Sequence, residues 1–155
     1  MINAWADGTV TYINITKDIS CTGGTLGNRA AGASVVINGH TVDLGNQDFG
    51  LGTIPSTNPT TITLTNTKYQ QGYAVNDGLY GLVYATSGLG LTVNVDKINL
   101  SASPANKNNP IHVVYASYAL VNFSGDNNFN ISYEVTCGVT KIMYRNLVLT
   151  LLQMP

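Results

Sequence analysis

Two histidines and eight carboxylates are the groups with which this 155-residue chain could move a proton. A hydrolytic triad would use His40 or His112 as base, within hydrogen-bond reach of a nucleophile and an orienting carboxylate. His40 directly follows a turn signal. His112 opens a strand beside Pro110, on the face that continues as Val114, Ala116 and Tyr118. Both read as an exposed or strand-edge histidine, and no Gly-x-Ser-x-Gly elbow is present. Glycoside hydrolysis would need two carboxylates about 5–10 Å apart. The spacing of Asp7, Asp18, Asp43, Asp48, Asp77, Asp96, Asp126 and Glu134 brings no particular pair together. Asp43 with Asp48, or the run Asp126-Asn127-Asn128, could offer oxygens to calcium, but neither has the spacing of a known loop. They read as turn-forming residues. The expectation is a protein with no catalytic residues, no metal and no cofactor.

Cys21 and Cys137 are too few and too far apart for a zinc site. Cys137 falls on the apolar face of its strand, so two independent buried thiols are one reading. A disulfide is favoured, because the rest of the composition looks extracellular. Closing so long a loop would stabilise the fold by about 4–5 kcal/mol in the entropic account. Glycosylation sequons stand at Asn14, Asn99, Asn122 and Asn130. In a chain so rich in Asn, Ser and Thr their number is what chance supplies, although Asn130 lies on the polar face of a well-patterned strand. Nine tyrosines dominate the aromatic content. They suit half-buried rims and interfaces, and a lectin platform would use the same residue.

Charged residues make up 10% of the chain, well under the roughly 25% of ordinary soluble domains. Thr, Asn, Gly and Ser supply the polar surface instead, which suits a protein facing variable pH and salt outside a cell. The formal net charge is −1. The seven basic residues are scattered, so nucleic acid is excluded as a partner. No run approaches the roughly 20 apolar residues of a membrane-spanning helix. Met1 is followed by no leader-like segment, which leaves a true start or a processed chain as the alternatives.

The elements that would position these residues are strands. Residues 129–137 alternate cleanly, with Phe129, Ile131, Tyr133, Val135 and Cys137 on one face. Residues 111–123 and 141–153 read as strands on either side, the last apolar on both faces. Earlier strands are expected over 8–16, 60–65, 78–85 and 89–95, the last continuing through 98–101 after a bulge. Asn38-Gly39 between the apolar runs 34–37 and 40–44 predicts a type I′ hairpin. Residues 21–32, 45–59, 66–77 and 102–110 read as loops, and 1–7 as an extended arm. No segment has helical periodicity and no fixed-period repeat marks a solenoid. The fold class this implies is all-β: a single β-sandwich, Ig-like or jelly-roll-like, of antiparallel strands without significant helix.

In architecture and composition the chain resembles donor-strand pilus subunits, both chaperone–usher fimbrial subunits with their spore-coat-U-like relatives and archaeal thread or bundling pilins. The resemblance implies an N-terminal arm and first strand over 1–16 and a sandwich domain over 17–155. It implies that Ile2, Ala4 and Ala6, or in the other frame Val10 and Tyr12, enter a neighbour's groove bordered by Leu147, Leu149 and Leu151. Head-to-tail strand donation between identical subunits does not close, so it generates an extracellular, cell-surface filament. Chaperone–usher subunits bridge cysteines nearer one another than Cys21 and Cys137, which favours the archaeal type. A viral or phage capsid, decoration or fibre-head protein is the alternative, and a carbohydrate-binding module a third.

Overall fold

The computed structural model describes residues 1–72, 81–103 and 112–131. One helical turn, α1 (Ile2–Ala6), precedes a chain that winds through successive coils. The first coil holds β1 (Tyr12–Ile15) and β2 (Ile19–Ser20), the second β3 (Val35–Gly39), β4 (Thr41–Gly45) and β5 (Phe49–Thr53). The third holds β6 (Thr60–Thr65), β7 (Lys68–Gly72) and β8 (Gly81–Ser87), the fourth β9 (Leu91–Asp96), β10 (Asn99–Ser103) and β11 (His112–Tyr115). A fifth begins with β12 (Leu120–Ser124) and β13 (Asn128–Ile131). Corresponding strands stack into three sheets: β1-β3-β6-β9-β12 (sheet A), β2-β4-β7-β10-β13 (sheet B) and β5-β8-β11 (sheet C).

Every one of these pairings is parallel. The strand-dominated content matches expectation, but the antiparallel sandwich does not: the fold is a three-sheet parallel solenoid. The predicted hairpin shows why. β3 and β4 do not pair, because Gly39 (φ 125°) turns the chain through a corner from sheet A to sheet B. A Cβ there would lie 2.1 Å from the Ile15 carbonyl oxygen of the coil before. Asn66 (φ 49°), Lys97 (φ 53°) and Gly125 (φ 63°) repeat the same left-handed corner, coil after coil. Of the two positive φ values that a type I′ turn requires, only that of Gly39 is present, and the direction the chain takes afterwards depends on which neighbour offers an unpaired edge.

Other differences have the same origin. Residues 111–123 are not one strand but β11 and β12, separated by a corner at Tyr118 (φ 65°). β10 is not a continuation of β9 but lies in another sheet beyond the Lys97 corner. The supposed loops over 45–59 and 66–77 contain β5 and β7. The solenoid has no fixed period, since the stacked residues Tyr12, Val36, Thr63, Asn94 and Asn122 recur after 24, 27, 31 and 28 positions. Backbone ladders set the register and corner lengths absorb the variation, so no period survives in the sequence.

The interior is filled by stacked columns. In sheet A, Ile13, Ile37, Leu64, Val95 and Phe123 lie one above another, as do Val35, Ile62, Val93 and Val121. All nine are buried. Sheet B contributes Val42, Tyr69 and Leu100, and sheet C Phe49, Val83 and Val114. Each fully buried aliphatic or aromatic residue contributes on the order of 1.5–3 kcal/mol of transfer free energy.

The N-terminal end of this column needs a lid, and α1 supplies it. Trp5 is wholly buried, 4.8 Å from the Phe49 ring, and its Nε1–H donates to the Gly27 carbonyl at 2.8 Å. Arg29, 1% exposed, fixes the lid. Its Nη1 donates to Trp5 O at 2.6 Å and Asp7 O at 3.1 Å, its Nε to Ala33 O at 2.5 Å, and its Nη2 to Val10 O. Its guanidinium carbon lies 5.6 Å from the Trp5 ring centre. Residues 1–7 are thus folded onto their own chain, and the extended arm expected there is a helical turn.

Candidate functional site

Because strand residues alternate in direction, the same strands that fill the core with Val, Ile and Leu present Thr, Asn, Asp and Ser outward. On sheet A these outward residues form three columns. One contains Thr61, Thr92 and Leu120, and the next Tyr12, Val36, Thr63, Asn94 and Asn122. The third contains Asn14, Asn38, Thr65, Asp96 and Ser124. Neighbouring coils lie about 4.8 Å apart, so stacked side chains can bond to one another.

They do so in two ladders. Asn38 Nδ2 donates to Asn14 Oδ1 at 3.0 Å, and Asn66 Nδ2 to Asn38 Oδ1 at 3.2 Å and Thr65 Oγ1 at 3.0 Å. Thr65 Oγ1 then donates to Asp96 Oδ2 at 3.1 Å and Ser124 Oγ to Asp96 Oδ1 at 3.0 Å, which completes a run across the five described coils. In the adjacent column Asn122 Nδ2 donates to Asn94 Oδ1 at 2.9 Å and Asn94 Nδ2 to Thr63 Oγ1 at 3.1 Å. Each middle amide commits one N–H and one oxygen lone pair to its neighbours and keeps one of each for solvent or a ligand. Exposed apolar side chains flank this lattice: Tyr12 (55%) at its N-terminal edge, Leu89 (61%) and Tyr118 (57%) at the corner leading into β9 and β12.

The residues singled out from sequence are scattered over the solenoid. Of the four sequon asparagines, Asn14 and Asn122 sit in the sheet A ladders, while Asn99 and Asn130 are exposed on sheet B. Ile2, Ala4 and Ala6 are in α1, with Ile2 and Ala4 packed against the core, as is Val10. Tyr12 is in β1, which pairs with β3 of its own chain. Cys21 is buried, and burial raises its thiol pKa. Cys137 and the groove residues Leu147, Leu149 and Leu151 lie outside the described residues. His40 Nδ1 is 3.7 Å from Asp18 Oδ1, both well exposed, and His112 is buried. Among the described residues no three His, Cys, Asp or Glu side chains cluster in a way that could hold a metal ion.

Two groups escaped the sequence reading. Arg29 was one basic residue among seven scattered ones, and nothing local announces that its fork will meet six backbone carbonyls. Asp48 precedes β5, and burial pushes its carboxyl up to about 6. The polar ladders were half legible: the alternation Thr-Thr-Ile-Thr-Leu-Thr in β6 marks one wet face, but not what stacks beside it.

A parallel β-solenoid with one hydrogen-bonded polar face and a capped N-terminal end defines a scaffold class, the β-helix. Within it, residues 1–99 match the family described as pectate lyase-like adhesive domain, and the chain belongs to that family. It is an adhesin-like domain of extracellular or surface type. No curated protein and no solved structure matches the chain. Among the described residues no helix is long and apolar enough to cross a membrane.

Proposed function

We propose that this chain is a rigid, non-catalytic binding segment of a surface adhesin, and that it attaches through the outer face of sheet A. The observation that carries this reading is the pair of side-chain ladders. They hold amides, hydroxyls and the Asp96 carboxylate in fixed positions, one ladder across five coils and the other across three, so little side-chain entropy is lost when a ligand settles on them. The exposed His40–Asp18 pair is the nearest approach to an acid–base dyad among the described residues, and His40 follows the Gly39 corner, two residues beyond Asn38 of the first ladder.

Polymerisation by strand donation has less to rest on, because β1 is paired along its length with β3 of the same chain. Filaments in negative stain that vanish when residues 1–12 are removed would restore it. The adhesive reading is tested with beads carrying the purified chain, placed under flow over mucin, collagen and cellulose surfaces. Retention on at least one surface should fall tenfold or more in the double variant Asn94→Leu/Asn122→Leu. It should be unchanged in Gln70→Leu, which alters the outer face of sheet B. Equal retention of all three proteins would refute the assignment of the face.

A further inference from the structure

Tyr118 is the residue on this face whose presence the fold does not require. It occupies the corner between β11 and β12 with φ 65°, a conformation about 1–2 kcal/mol unfavourable for a residue bearing a Cβ. Glycine would adopt it freely, whereas the corner one coil earlier, Gly88-Leu89-Gly90, is turned without any positive φ. The Tyr118 ring is 57% exposed, so it gains little burial in return. A bulky side chain displayed to solvent on a strained backbone marks a contact residue.

Its position shows what it would contact. Tyr118 lies two residues before Leu120, which opens the outward row Leu120, Asn122, Ser124 of β12. Tyr118 thus stands, exposed, at the corner from which that row starts, and the row's amide, Asn122, is tied to Asn94 in the neighbouring coil. Among the described residues the rows of the face carry no cation, and their one charged side chain is the Asp96 carboxylate, which accepts from the Thr65 and Ser124 hydroxyls and would repel an anionic ligand. Besides that carboxylate the face offers amide N–H groups, carbonyl lone pairs, threonine hydroxyls and two exposed aromatic rings, Tyr12 and, at the corner, Tyr118.

Resting on the adhesive reading above, we infer that the ligand is a neutral, hydroxyl-rich glycan and that Tyr118 is the platform on which one sugar ring stacks. A sugar ring has an apolar C–H face to lay on the tyrosine. Its hydroxyls donate and accept at once, as the half-committed amides of Asn94 and Asn122 require. Leu89, exposed one coil away, widens the apolar end of the site.

The test applies the full chain to a printed array of neutral, sialylated and sulfated oligosaccharides and titrates the tightest binder by calorimetry. Tyr118→Gly should weaken binding at least tenfold while leaving the thermal midpoint unchanged or raised, and Tyr118→Phe should keep the affinity within about threefold. Loss of binding in Asn94→Leu with full binding in Tyr118→Gly would overturn the role of Tyr118 and leave the adhesive face standing. Binding confined to sulfated glycans and abolished by salt would overturn the neutral class. Silence on the array, with beads still retained on a collagen surface, would make the ligand a protein. Silence on the array and on every surface would remove both readings.

Discussion

Replacing Arg29 by methionine should detach the N-terminal lid without touching the sheets. The side chain donates to four carbonyls at close range: Trp5, Asp7, Val10 and Ala33. The bond to Trp5 O is fully buried, and the others are partly so. A hydrogen bond from a charged donor is worth about 1.5–3 kcal/mol, and a buried carbonyl left without a partner costs about 1–3 kcal/mol. The carbonyls nearer the surface can rehydrate, and methionine avoids burying a cation, whose desolvation already depresses the Arg29 pKa. The net loss should be about 3 kcal/mol, a large share of a domain's usual 5–15 kcal/mol. With a urea slope of about 2 kcal/mol/M, the midpoint should fall by about 1.5 M.

Trp5 is the single tryptophan of the chain, so its fluorescence reports the lid alone. In the variant its emission should shift to the red at low urea, ahead of the loss of strand signal in circular dichroism, because solenoid ends open independently of the middle. Arg29→Lys should fall between, since an ammonium cannot reach as many carbonyls as the planar fork. A midpoint within about 0.3 M of the parent, with unshifted emission, would refute the latch.

Asp48→Asn should stabilise the protein at neutral pH and not in acid. The Asp48 carboxyl titrates at about 6 in the fold against 3.8 in the open chain, so the folded state holds its proton longer. The parent therefore loses stability as pH rises through that window, and the advantage of the amide should reach about 3 kcal/mol at pH 7.5 and vanish near pH 3.5. An equal gap in urea midpoint at both pH values would contradict this. Gly39→Ala should cost at least about 3 kcal/mol, because its Cβ would meet the Ile15 carbonyl and φ is 125°. Gly52→Ala, with open space around the new Cβ, should change stability by less than about 1 kcal/mol, and thermal melts of the two compare them directly.

How much of this was legible depends on the range of the interaction concerned. Thr60–Thr65 matches its predicted strand residue for residue, and β9 lies within one or two residues of it, since alternation is a property of the chain itself. The scarcity of charge was also plain, and Asn38-Gly39 marked a turn, though as a hairpin and not the corner it forms. α1 was not legible: Ile2–Ala6 alternates as well as many strands do, and it is helical because Trp5 finds Phe49, Gly27 and Arg29 around it. The strands hidden in the stretches 45–59 and 66–77 are held by ladders to other coils rather than by their own composition.

The sequence by itself determined which residues of the alternating stretches such as Thr60–Thr65 face water and which face the core, that the chain turns at Gly39, and that hydroxyls and amides would form the surface. Only the tertiary structure decided that each bend leads onward to a new sheet instead of back along the old one. A parallel ladder joins residues some 24 to 31 positions apart, and its bonds run between backbone groups that every residue type possesses. Side chains bias that choice through the columns they form, and a column such as Ile13, Ile37, Leu64, Val95 and Phe123 comes into being once the coils are stacked.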